Sequence, residues 1–70
     1  MIMTIEQAVE NYINGNLTEA KKKLRRNPAR TAQVASEMLG PEHGRALALW
    51  AVGGLSFDEL CEVARKEVAP

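Results

Sequence analysis

The side chains that could do covalent or acid–base chemistry are few. The chain holds one cysteine, Cys61, and one histidine, His43. A thiol nucleophile needs a base beside it and a third group to orient that base, and a zinc site needs three or four ligands. One Cys and one His do not supply either set. Glu37 and Glu42 add carboxylates nearby in sequence, but nothing in their spacing pairs them as an acid and a base. Cys61 falls at helical spacing with Phe57, Leu60 and Ala64, the pattern of a buried structural cysteine. His43 falls in a first helical turn, where exposure is the simpler expectation. No glycine-rich loop follows a strand to cradle a phosphate. The expectation is a non-enzymatic protein with no cofactor and no metal.

What the chain does concentrate is positive charge. Lys21, Lys22, Lys23, Arg25, Arg26 and Arg30 lie within the ten residues KKKLRRNPAR, which contain no acid. Like charges four apart on a helix cost about 0.2–0.5 kcal/mol each, and only part of that is offset by cations near a helix C-terminus. A run with such a cost suits docking on an acidic protein surface or on a phosphate backbone; a solvated face that keeps a small protein soluble is the plainer alternative. The patch is expected to bind an acidic partner, with nucleic acid as the second reading. The segment LTEAKKKLRRNPARTAQVASEML has the outline of a helix-turn-helix. However, Arg25 stands where that turn wants glycine and Arg26 where it wants an apolar residue.

The aromatic side chains are Tyr12, Trp50 and Phe57. Tyr12 and Trp50 would either anchor a partner together or belong to the core, since such residues dominate binding hot spots. Any part of Ala46–Val52 left exposed would mark a homodimer face, which gives a self-associating assembly protein as a third reading.

The elements that must position these residues read as five short helices and no strands. Thr4 and Gln7 form a capping box before the apolar stripe Ile5, Ala8, Val9, Tyr12 and Ile13, and Gly15 stops that helix. A second helix is expected from Thr18, its cap, to about Arg26, with Ala20 and Leu24 as a narrow apolar stripe. Asn27-Pro28 breaks and restarts the chain. Ala29, Ala32, Ala35, Met38 and Leu39 form the expected inner face of a third helix ending at Gly40. After Pro41 a fourth helix carries the unbroken run ALALWAV, the expected centre of the core. Ser56 and Glu59 cap the fifth, stapled by Leu55 and Leu60. These form an all-α bundle, one domain over residues 1–70, made of two similar helical hairpins linked by a central helix. The similarity has an offset of 38: GNLT at Gly15–Thr18 returns as GGLS at Gly53–Ser56, and Tyr12 falls on Trp50. Two copies are too few for a solenoid.

A chain of 70 residues buries only about 60% of the surface its unfolded form exposes. Nine basic and nine acidic residues cancel, yet residues 1–35 carry six and three, and residues 36–70 three and six. The halves are therefore about +3 and −3. No apolar run approaches the roughly 20 residues that cross a bilayer, and no secretory leader pattern opens the sequence, so a cytoplasmic protein without a membrane partner is expected.

Both ends of the chain have a further likeness. EQAVENYINGNLTEAKKKLRR and RALALWAVGGLSFDELCEVARKE resemble a group of short phage and prophage proteins. The shared features are a helix ending in an aromatic, a glycine turn, a basic run, and a Ser-Phe pair with a Cys before the last turns. The resemblance spans about two thirds of the chain; Trp50 stands where the group has tyrosine, and residues 27–44 take no part. It implies a phage-encoded accessory protein that binds and inhibits a host or defence component, and it brings no catalytic residues.

Overall fold

A computed structural model describes residues 3–68, and these form five helices in chain order: α1 (Ile5–Ile13), α2 (Leu17–Leu24), α3 (Pro28–Leu39), α4 (Pro41–Ala51) and α5 (Phe57–Val68). There is no strand among the described residues. The α1 capping box forms as expected, with the Gln7 N–H donating to Thr4 Oγ1 at 3.1 Å and the Thr4 N–H to Gln7 Oε1 at 2.9 Å. At α5 the Glu59 N–H donates to Ser56 Oγ at 3.2 Å, and Ser56 donates back to Glu59 Oε1. Asn27 accepts from the Arg30 N–H and Pro28 takes the first helical position of α3.

The repeated GNLT and GGLS are two copies of one helix stop. Gly15 N–H bonds Tyr12 O at 3.1 Å and Asn16 N–H bonds Asn11 O at 2.8 Å; Gly53 N–H bonds Trp50 O at 3.1 Å and Gly54 N–H bonds Leu49 O at 2.8 Å. Gly15 and Gly53 both have positive φ, 91° and 84°, the conformation that closes a helix and that glycine adopts without steric cost. The starts that follow differ. Thr18, expected as the α2 cap, lies inside that helix, which begins at Leu17 with Asn16 as a cap whose side chain bonds none of the helix's own N–H groups. Asn16 is instead drawn back onto α1, its Nδ2 donating to Asn11 Oδ1 at 3.4 Å, and the cap lies two residues before the expected Thr18.

Hairpin neighbours pack together, α1 on α2 and α4 on α5, and α3 joins them by packing on α4 and α1. The core gathers Val9, Leu24, Leu47, Trp50 and Leu60 with several alanines. Two expectations about its makeup are corrected. The buried face of α3 is Thr31, Val34 and Ala35, while Ala29 and Met38 are exposed. The helix is rotated because Thr31, though polar, donates its hydroxyl to Leu24 O at 2.9 Å and is thereby satisfied at 0% exposure. The ALALWAV run is not wrapped on all sides either: Ala46, Leu47, Ala48, Trp50 and Ala51 are buried, but Leu49 and the C-cap Val52 are 43% and 49% exposed.

The α3–α4 junction is tight. A Cβ added at Gly44 would collide with the backbone N of Ser36 and reach its Cα at 2.6 Å, so the two helices meet backbone to backbone. Gly40, between them, has φ 109° and lies against the Glu67 carboxylate. That carboxylate performs a service for α4. Glu67 Oε1 accepts the N–H groups of Glu42 at 2.9 Å and His43 at 3.3 Å, capping a helix whose own N-cap, Gly40, has no side chain to offer.

Candidate functional site: a basic corner beside an apolar groove

The six cations divide by position. Lys22, Arg25, Arg26 and Arg30 are exposed on the corner where α2 turns into α3. Lys21 and Lys23 are half-buried. Lys21 places its ammonium 5.2 Å from the centre of the Trp50 ring, a distance at which the ring face attracts a cation. The corner is held by apolar and hydroxyl groups, Leu24 and Thr31, both fully buried; the exposed cations take no part in that packing. The two helices that form the corner are not packed as a helix-turn-helix pair, because α2 lies on α1 and α4.

Tyr12 and Trp50 do come together, with ring centres 6.1 Å apart, but not as an exposed pair of anchors. Trp50 is only 6% exposed and belongs to the core, and Tyr12 is half-buried against it. The physical reason is their equivalent placement on the last turns of α1 and α4, whose inner faces meet. Trp50 also touches Phe57, ring centre to ring centre 6.0 Å.

His43 also lies elsewhere than its sequence suggested. Expected on the surface, it is 8% exposed. Its Nε2 lies 2.7 Å from the Tyr12 hydroxyl, and its ring meets that of Tyr12 edge-on at 77°. Burial lowers the His43 pKa below 6.5, and the Glu67 carboxylate pulls it partly back. Burial raises the Tyr12 phenol above 10.0, with Cys61 adding to the rise. The available signal was on α4 alone: His43, Leu47 and Trp50 recur at i, i+4 and i+7, one face of a helix. Cys61, expected to be buried, is intermediate in exposure.

Tyr12 and His43 lie at an open apolar groove of about 560 Å³. Ile13 from α1, Met38 from α3 and Phe57 from α5 form its walls and are 56%, 40% and 41% exposed. Tyr12, Leu17 and His43 line it more deeply. No one stretch of sequence announces it, because its walls come from separate helices.

Among the described residues there is no cluster of three His, Cys, Asp or Glu that could hold a metal ion, and no helix long and apolar enough to cross a membrane. Comparison of the chain with protein-family models, with curated proteins and with solved structures finds no match.

Proposed function

We propose that this chain is a non-enzymatic interaction protein that docks on the acidic surface of a protein partner through Lys22, Arg25, Arg26 and Arg30. One observation carries the reading. Four cations stand exposed on a corner whose packing does not use them, within a segment free of acid. Such a patch raises the rate of encounter with an acidic target and makes it sensitive to salt. The likeness of both chain ends to short phage and prophage proteins supports an accessory role in the bacterial cytoplasm, modulating or inhibiting a host or defence protein.

The test compares affinity capture from a bacterial lysate by the wild-type chain and by Lys22→Glu/Arg25→Glu/Arg26→Glu. The variant should keep its helical circular dichroism and lose the partner. Equal capture by both would sink the placement of the patch. Duplex and single-strand nucleic acid are titrated in parallel. Binding that falls steeply as salt rises, and that the variant lacks, would replace the protein partner with nucleic acid. A self-assembling role would use exposed apolar side chains such as Leu49 and Val52 at the end of α4; a strict monomer by light scattering at high concentration removes it.

A further inference from the structure

We propose that the groove walled by Ile13, Met38 and Phe57 receives an amphipathic helix of the partner protein, apolar side down and acidic side toward the α2 edge. The acidity of this occupant rests on the function proposed above; its helical form and its seat do not.

The groove itself selects against other occupants. Three large apolar side chains from three helices leave roughly half their surface in water at one place, and covering them is favourable at about 25 cal/mol per Å². A small molecule would need a few convergent polar groups to orient it. The polar pair at the groove, Tyr12 Oη and His43 Nε2, is already mutually bonded at 2.7 Å. A peptide strand would need a sheet edge to pair its backbone, and none exists among the described residues; a polyproline helix, which needs none, seeks several exposed aromatic rings, and of the rings in this groove only Phe57 is exposed. A helix satisfies its own backbone and brings only side chains, so it is the backbone form that the groove can bury without leaving donors unpaired.

Charge sets the orientation. On α2, Leu17 lines the groove and Lys21 lies one turn on, and Arg25, the C-cap just past the helix, continues the row in helical geometry, at i, i+4 and i+8. Lys21 does not line the groove but sits over Trp50, whose ring lies beside those of Tyr12 and Phe57, two residues that do line it. Acids on the incoming helix therefore meet cations along α2. They would be repelled at the first turns of α4 and α5, where Glu42 and Asp58 are exposed. Leu17, Lys21 and Arg25 thus lead at helical spacing from the apolar groove to the basic corner.

The test is selection of binders from a displayed library of randomised helical peptides of about 18 residues, or five turns. The expected winners carry apolar residues at i, i+3 or i+4, and i+7, with Asp or Glu along one flank. Their affinity should fall at least tenfold against Ile13→Ser and against Phe57→Ala, both exposed positions whose change leaves the fold intact by circular dichroism. It should also fall against Lys22→Glu/Arg25→Glu/Arg26→Glu. Loss on charge reversal alone overturns the groove and leaves basic docking in place. Groove-dependent winners that lack acids overturn the acidic flank together with the functional reading it rests on. No enrichment overturns the proposal outright, as does a wild-type dimer that Ile13→Ser converts to monomer, since that assigns the groove to a second copy.

Discussion

Tyr12 and His43 meet across 31 residues of sequence at 2.7 Å, and the bond can form with either tautomer of the ring, the hydroxyl donating to a bare Nε2 or accepting from a protonated one. Removing the hydroxyl leaves a nitrogen at a nearly closed site without its partner. Tyr12→Phe is therefore expected to cost about 1–3 kcal/mol in a denaturant titration. Protonation is a separate matter. The imidazolium could keep the bond, but it would place a charge where burial disfavours one, which is why the folded pKa lies below 6.5. The unfolded chain then binds the proton first. Stability is full above about pH 6.5 and declines as the pH falls through that value toward the folded pKa. Thermal melting at pH 7.5 and pH 5 should show this loss, and His43→Gln should remove the part of the slope that lies just below pH 6.5.

At the scale of elements, two contacts fix how α4 sits. Glu67 holds the first N–H groups of α4, so Glu67→Ala should lower stability by about 0.5–2 kcal/mol, the range for loss of a helix cap. Gly44→Ala would gain about 1 kcal/mol in helix propensity. The new methyl, however, would collide with the Ser36 backbone, and the repacking penalty, about 1–3 kcal/mol, should leave the variant with a lower melting temperature. Helix boundaries were largely legible in the sequence because caps and stops act within three or four residues: Thr4 with Gln7, Asn27 with Pro28, Ser56 with Glu59, and the glycines at 15, 40 and 53. Rotation was less legible. Nothing local says that the Thr31 hydroxyl would find Leu24 O and turn α3 by one position. The basic corner could be read directly, as a run of letters. The groove could not, because Ile13, Met38 and Phe57 become neighbours only when three helices pack, and the Tyr12–His43 bond depends on that same packing.

The whole molecule has a radius of gyration of 10.8 Å, close to the roughly 11 Å expected of a compact chain of 70 residues. Its net charge is zero, so long-range attraction to an acidic target must come from the uneven distribution between the halves. That attraction is screened within about 10 Å at 0.1 M salt and 3 Å at 1 M. The association rate with the partner should therefore fall several-fold between low salt and 1 M, and Lys22→Glu/Arg25→Glu/Arg26→Glu should erase the difference while moving folding stability by no more than about 0.5 kcal/mol. One last consequence belongs to Glu67. Its carboxylate reaches back 24 and 25 residues to α4, and α5 also delivers Leu60 to the core. Loop closure over those residues must precede the cap, so the start of α4 is completed by a contact across the α4–α5 hairpin and not by its own sequence. α4 thus gains its cap only once α5 has docked, so its first turn and α5 should lose hydrogen-exchange protection together.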